Sequence, residues 1–524
     1  MDLRLISELI RQSLARHSEG LQLRSRLYLA LRQAILDKRL PPGSQLPSTR
    51  VLAEELALGR NTVVRAYEQL LLEGYLNGRG GSGTYVSDAL QRSNQTLPPK
   101  RLVGTRRDGL SRRGNAVASN ARSSSVQRGA FMPGVPDLDL FPFATWRRLV
   151  GKYINLDNAR LFDYAHSGYG PLKVAIAEYL RVTRMMSCDP RQILVVNGSH
   201  QAIDLCARLL SDVGDRAWIE DPGYWGARNV LEAAGLDVAP IPLDERGIAP
   251  TAGDWATPPR LIFVSPSSQY PTGTVLSVDR RLELLEGAER TGAWIIEDDY
   301  DNELRYHNTP VASLFGLSAK QRVIYLGTFS KVMFPGMRLA YLVMPADLVD
   351  AFCIGNAELF RGGRLAEQAA LAEFIAEGHF TAHIKRTRTV YQERRDILRE
   401  NMAARLGNVV TESGGHAGLQ LLYTFNQPID DAQLAAKAMA EGVILRPLSL
   451  YYINKAARRP GMNLGYAAVP SEKIAPACAT LARVVEQVLA NPSRLSATRL
   501  NRINAPLSGD GGGSGGFQQV KLER

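Results

Sequence analysis

Apolar residues change their spacing along this chain, and each change marks an element. In LQLRSRLYLALRQAILDKRL, Leu23, Leu27, Leu31 and Ile35 recur at helical spacing, which predicts a helix that stops before Pro41-Pro42-Gly43. Ser48 is placed to cap a second helix, STRVLAEELAL. Gly59 makes a turn, and Arg60 or Asn61 opens a third helix, NTVVRAYEQLLLEGYL. NGRGGSGTYVSD, glycine-rich and closing on Thr-Tyr-Val, reads as the tip of a β-hairpin. Helix, helix, turn, helix, hairpin over residues 21–89 is the order of a winged helix-turn-helix.

From residue 131 to about 490 the pattern is different. Short apolar runs (QILVVNG, RAWIED, RLIFVSP, AWIIEDD, VIYLGTF, LAYLVMP) alternate with helical stretches. Strands with little polar alternation, separated by helices, predict a mostly parallel sheet in an α/β fold. A smaller α+β lobe is expected from about residue 370, with EQAALAEFIAEG as a helix and GLQLLYTF as a strand. Between the two regions, residues 90–130 carry nine basic side chains and one acidic one, with few large apolar groups. Such a segment buries too little to offset its ordering entropy, so a flexible basic linker is expected. Residues 491–524 end in SGDGGGSGGFQQVKLER and read as a disordered tail.

Charge sharpens the division. The formal net charge is +11, and residues 131–524 contain 42 basic and 42 acidic side chains. All the excess is therefore N-terminal. That placement implies a polyanion partner for that end, the alternative being a solubilising tail. The element expected in a major groove is the third helix, whose Arg60, Asn61, Thr62 and Arg65 offer donors to base edges and phosphates. Ser48, Thr49 and Arg50 open the preceding helix, a place suited to phosphate. Arg79 and Gly80 stand at the wing tip. Tyr67 reads as core. The four cysteines, Cys188, Cys206, Cys353 and Cys478, have no metal-site spacing, so neither zinc nor a disulfide framework is expected. No apolar run is long enough to span a bilayer and the N-terminus lacks a signal-peptide core, so a cytoplasmic protein is expected.

The densest chemistry lies in GTFSKVMFPGMRLAY. Lys331 follows a strand, Thr328 and Ser330 precede it, and Arg338 comes seven residues later. An amine that condenses with an aldehyde, beside groups that hold a phosphate, fits pyridoxal 5'-phosphate (PLP). Gly198-Ser199-His200 sits between a strand and a helix, as a phosphate cradle or an ordinary turn. Tyr224 at a strand end is either core or a ring-stacking group. In AWIIEDDYDNELRY a carboxylate can face a pyridine nitrogen, and Tyr300 can donate to the ring oxygen. Tyr270-Pro271-Thr272-Gly273 forms a turn beside the ring.

LPPGSQLPSTRVLAEELALGRNTVVRAYEQLLLEGYLNGRGGSGTYV resembles the GntR family of bacterial transcription regulators. Over residues 131–490 the chain resembles fold-type I PLP-dependent aminotransferases, and the fusion resembles the MocR subfamily of GntR regulators. The resemblance implies that Lys331 is the internal aldimine lysine, Asp298 rather than the adjacent Asp299 the pyridine partner, and Tyr300 the ring-oxygen donor. It implies stacking by Tyr224, and phosphate ligation by Ser199, His200, Thr328, Ser330 and Arg338. Tyr164, in FDYAHSGYGPLK, is implied to reach the phosphate site of the other subunit of a head-to-tail homodimer. DNA contacts carry over onto Arg50, Arg60, Asn61, Thr62, Arg65 and the Gly80 tip.

Two positions depart from the aminotransferase pattern. Asn463, in GMNLGYAAV, stands where these enzymes place the arginine that clamps a substrate carboxylate, and Ser268 stands where the subfamily often has His. An amide cannot replace a bidentate guanidinium; Arg446 is a possible substitute. The expected function is therefore a regulator that binds operator DNA and senses PLP, with or without an amino compound. An active aminotransferase carrying an accessory DNA-binding domain is the alternative.

Overall fold

The computed structural model describes residues 3–15, 22–79, 83–87, 109–119, 129–306, 312–318 and 322–490. Gly80, most of 90–130 and all of 491–524 lie outside them. The chain divides into two compact units, Met1–Arg106 and Arg107–Arg524.

The first unit has helices Leu23–Leu36, Thr49–Glu55 and Arg60–Leu72, then the antiparallel strands Leu76–Arg79 and Gly83–Val86. Leu27, Leu31 and Ile35 are buried together with Val63, Tyr67 and Leu70. Leu23, which shares their spacing, is exposed. The Ser48 hydroxyl caps its helix by accepting from the Val51 N–H at 3.3 Å, and the third helix opens at Arg60, with Gly59 as the cap residue. Tyr67 is core, its hydroxyl donating to the Pro47 carbonyl at 2.9 Å. One element was not anticipated. Helix Leu3–Ala15 packs on Leu23–Leu36 and contributes the fully buried Ile6 and Ile10, so the core of this unit begins well before residue 21.

The second unit is built on an eight-stranded sheet. Strands Val323–Thr328, Trp294–Asp299, Leu261–Val264, Arg216–Asp221 and Asp237–Asp244 are parallel neighbours in that order. Ala340–Val343 lies antiparallel between Val323–Thr328 and Ile193–Val196. Nearly every residue of the central strands is buried, since helices cover both faces. The smaller lobe has a four-stranded antiparallel sheet, Val410–Ser413, Gln420–Phe425, Gly461–Gly465 and Arg446–Pro447. Helices His379–Leu406, Asp431–Ala440 and Ser471–Ala490 accompany it. Ala130 and Phe131 bridge to Val443 and Gly465, so the start of the unit is tied to the small lobe's sheet.

The linker expectation needs correction at one place. Arg112–Ser119 is helical and packs on helix Trp225–Ala234. Its first turn is held by the Ser111 hydroxyl, which accepts from the Gly114 N–H at 3.0 Å. Composition argued for disorder; a local cap and a docking helix outweigh it. Among the described residues, no helix is long and apolar enough to cross a membrane and no cluster could hold a metal ion.

A buried ion pair ties the sheet to helix Gly170–Arg184. Arg184 Nε meets Asp299 Oδ2 at 2.9 Å, both side chains being 2% exposed. Its other nitrogens donate to Asn302 Oδ1 and Ser267 Oγ, each at 2.9 Å. Removing one partner of such a pair leaves a desolvated charge, at a cost of about 3–5 kcal/mol. Arg184→Met is expected to lower unfolding free energy by that amount in denaturant titration. The double replacement Arg184→Met with Asp299→Leu is expected to recover most of it.

Candidate cofactor and DNA sites

The parallel strands deliver their C-terminal ends to one edge of the sheet, where α/β folds bind ligands. Five of the segments picked out above meet there. Lys331 follows strand Val323–Thr328, and its Nζ donates to the Gly134 carbonyl at 2.9 Å. Enclosure pulls its pKa below the ordinary lysine value, against the opposing charges of Asp298 and Asp301. A lysine shifted this way holds more of its amine in the neutral, nucleophilic form.

Strand alternation separates the two adjacent aspartates. Asp299 turns to Arg184 and accepts from the Tyr325 hydroxyl. Asp298 turns the other way, toward Lys331, and its Oδ1 is buried without a partner. Burial first, then the charge of Asp299, raises the Asp298 carboxyl to about 7, while Lys331 pulls it down. The Tyr300 hydroxyl is buried beside Ser268 and Asp301. Its ring meets Tyr270 edge to face at 5.9 Å, and Tyr270 meets Tyr224 in the same way at 5.9 Å. The Tyr270 hydroxyl shares a 3.0 Å hydrogen bond with that of Tyr451.

Cations gather at the N-terminus of helix Ser199–Leu210. Gly198 caps it at φ +95°, and Arg338 lies directly over it. Its positive φ favours glycine, and a Cβ there would stand 3.2 Å from Arg338 Nε. Arg338 itself sits at φ +48°, a left-handed conformation that costs a residue other than glycine about 1–3 kcal/mol, and its Nη2 donates to the Asn197 carbonyl at 3.2 Å. The His200 ring shares a 2.9 Å hydrogen bond with the Tyr224 hydroxyl. Its pKa is lowered by partial enclosure and by the charges of Arg338 and Lys331. Thr328 Oγ1 accepts from the Ser330 N–H at 3.2 Å. Orphan N–H groups, a helix dipole and two cations together suit a phosphate.

Some candidates are placed differently. Tyr164 is 76% exposed. Ser268 donates to Asp301 Oδ2 at 3.4 Å. Asn463 is fully buried, with neither amide atom partnered. Three residues were missed. Gly134, in FMPGVPD, receives the Lys331 amine. Gln420 comes close to the same glycine. Gly226 is required because any Cβ there would collide with the Tyr224 ring and His200. A glycine two residues after an aromatic is a weak signal, legible only once the ring is seen to fold back.

In the first unit Arg50, Arg60, Asn61 and Arg65 are exposed, and Thr49 and Thr62 half-buried. Arg60, Asn61, Thr62 and Arg65 lie on the first two turns of one helix. Arg50 forms only an exposed contact with Glu54 at 3.5 Å. Arg79 ends its strand.

Residues 23–86 match the family of bacterial regulatory proteins, gntR family, and residues 140–481 match aminotransferase class I and II. The chain is 40% identical over 451 residues to the probable rhizopine catabolism regulatory protein MocR of Rhizobium meliloti, covering 84% of this chain and 90% of that one. The chain belongs to the MocR subfamily of GntR-type transcription regulators. The regulator TauR of Rhodobacter capsulatus is 33% identical, with 88% of this chain and 96% of that one covered. Among solved structures, LysN, an α-aminoadipate aminotransferase of Thermus thermophilus complexed with N-(5'-phosphopyridoxyl)-L-leucine, superposes with a TM-score of 0.65 at 26% identity. That match covers 72% of this chain and 97% of that one. Kynurenine aminotransferase of Pyrococcus horikoshii gives 0.66 at 24%, over 73% of this chain and 98% of that one, which shows the fold. Aminotransferases of class I and II, the family matched by residues 140–481, are PLP-dependent.

The Asp298 shift predicts a pH dependence. Between its ordinary value of 3.8 and about 7 the folded, cofactor-free protein holds a proton that the unfolded chain has lost. Its stability therefore falls as pH rises through that window. Asp298→Asn is expected to flatten this part of the stability–pH curve, read by chemical denaturation. An unchanged slope would contradict the shift.

Proposed function

We propose that this protein is a PLP-dependent transcription regulator whose Lys331 site holds the cofactor and whose first unit reads operator DNA. The observation that carries the reading is the buried Asp298 Oδ1, which lacks a hydrogen-bond partner on a carboxylate whose charge acts on Lys331. Orphaned groups of this kind are costly unless a ligand or water satisfies them. PLP fits the set: a ring nitrogen for Asp298, a ring oxygen for Tyr300, a phosphate for the Ser199 helix end, and a carbonyl carbon for Lys331.

When bound, PLP supplies an aldehyde that condenses with primary amines and a ring that withdraws electrons. The chain's own residues do the rest. Asp298 keeps the ring nitrogen protonated, Tyr224 covers one ring face, and Tyr270 fixes both tyrosines edge-on. Ser199, His200, Thr328, Ser330 and Arg338 hold the phosphate. Tyr164, exposed in one chain, completes the phosphate site of a second copy in a head-to-tail dimer. An amine at Lys331 then has differential affinity for two dimer states, and that difference moves the DNA-reading units between arrangements.

The regulatory reading is favoured over a turnover enzyme because a neutral, fully buried Asn463 stands at the carboxylate-clamp position. Arg60, Asn61, Thr62 and Arg65 are assigned to the major groove, with Ser48, Thr49 and Arg50 on phosphates and Arg79 at the wing.

Purified protein is expected to be yellow, and Lys331→Ala to lose the visible absorbance. Colourless wild-type protein with normal operator affinity would remove PLP from the mechanism. Arg60→Ala is expected to weaken operator binding by about 1–3 kcal/mol and relax specificity at one base, measured by titration at fixed salt. An unchanged footprint would displace the recognition helix.

A further inference from the structure

Arg338 holds a left-handed backbone, φ +48°, at the end of the short turn Pro335–Met337. A residue other than glycine keeps that conformation only where its surroundings impose it. The group that imposes it here comes from another part of the chain. Arg364 Nη1 donates to the Met337 carbonyl at 2.7 Å and, more weakly, to the Arg338 carbonyl at 3.4 Å. The donor is always cationic, so the shorter bond is charge-assisted. These two carbonyls belong to the peptide planes on either side of the Arg338 Cα. The backbone of a residue has only φ and ψ to rotate one such plane against the other, so a group that holds both fixes the pair. At the far end of the side chain, Arg338 Nη2 donates to the Asn197 carbonyl, and the Asn197 N–H donates to Gln201 Oε1 at 2.8 Å.

The turn that presents Arg364 is itself constrained. Arg361, Gly362, Gly363 and Arg364 have φ of +64°, +60°, +123° and +58° in succession, between helices Val349–Phe360 and Leu365–Ala376. Gly362 lies so close to the Ala165 carbonyl that no Cβ fits there. The Gly363 carbonyl accepts from Gln368 Nε2 at 2.8 Å, and Gln368 Oε1 accepts from the Tyr169 N–H at 2.8 Å. Gln368 is buried, so both bonds are shielded from water. The Arg364 contact with Glu367 is longer, 3.5 Å between half-buried side chains. A turn with two non-glycine residues at positive φ is thus held against the Ala165–Tyr169 segment, and the cation it carries reaches the backbone of Arg338. Arg338 therefore stands over the start of helix Ser199–Leu210 before any anion arrives. A cation placed in advance gives up less side-chain freedom on binding.

We propose that Arg364 is a positioning residue for the cofactor's phosphate: it holds Arg338 in its left-handed conformation and so sets the affinity of the site for that group without touching it. The assignment rests on the PLP-dependent reading given above. Its test titrates full-length, cofactor-free protein with PLP and, separately, with pyridoxal, which has the same ring and aldehyde and no phosphate. The visible absorbance gained at Lys331 reports both. Arg364→Met is expected to weaken PLP about tenfold, a difference of about 1.4 kcal/mol, and to leave pyridoxal unchanged. Arg364→Lys, a single point charge in place of a planar fork, is expected to keep part of the PLP affinity. Arg338→Met is expected to show the same phosphate-specific loss, and adding Arg364→Met to it to cost nothing more, because the two residues act as a unit. Unchanged PLP affinity in Arg364→Met overturns the assignment. So does an equal loss for PLP and pyridoxal, which would make Arg364 merely structural, and so do additive losses in the double variant, which would have Arg364 act on the phosphate independently of Arg338. Should Arg364→Met fail to fold, Arg364→Gln carries the same comparison, and failure of both also overturns it. A wild type that binds PLP no more tightly than pyridoxal, or binds neither, would instead strike the underlying reading.

Discussion

Strand Trp294–Asp299 must carry two neighbouring carboxylates into the middle of a sheet that excludes water. An unpaired charge there costs several kcal/mol. The pleat makes the problem soluble by sending the two side chains to opposite faces. Asp299 finds Arg184 and the Tyr325 hydroxyl. Asp298 has its Oδ1 buried without a partner, and burial pushes its carboxyl up to about 7 against the charge of Lys331. The protein thus holds a carboxyl that gains by meeting a cationic ring nitrogen. Its neighbours share the constraint. Glu297 is also raised to about 7, by burial first, and accepts from the Leu314 and Phe315 N–H groups, each at 2.9 Å.

Around this strand the site is assembled from pieces far apart in sequence. Gly134 comes from the start of the unit, Gly198 and Tyr224 from two strand ends, Lys331 and Arg338 from a third, and Asn463 from the small lobe. Each holds its place through the backbone more than through its side chain. Gly198 holds a positive φ next to Arg338, Gly226 must lack a Cβ to admit Tyr224, and Gly465 must lack one to admit Met132. Arg338 lies over Gly198 at the start of helix Ser199–Leu210, and the charges of Arg338 and Lys331 both act on His200 there.

The DNA-reading unit has its own core, which gains Ile6 and Ile10 from helix Leu3–Ala15. Arg60, Asn61, Thr62 and Arg65 lie on the first two turns of one helix, braced by a buried Tyr67 whose hydroxyl reaches Pro47. Two units with separate cores fit a regulator in which ligand and operator meet different parts of one chain.

Much of this was legible from residue order alone. Helical spacing, the Ser48 cap, buried strand runs and the GTFSKVMFPGMR segment are local patterns, and local patterns follow from backbone geometry and burial. The winged helix-turn-helix fold and the parallel sheet were therefore readable without coordinates. Adjacent residues of like chemistry were not separable by composition. Asp298 and Asp299 differ only in which face of the pleat they occupy and in what Arg184, more than a hundred residues away in sequence, brings to one of them. Gly134, Gln420 and Gly226 are silent until distant strands meet. Arg446 and Asn463 become a pair only through the strand register, because a neighbour across a sheet is set by hydrogen bonding between chains of residues that sequence spacing does not relate.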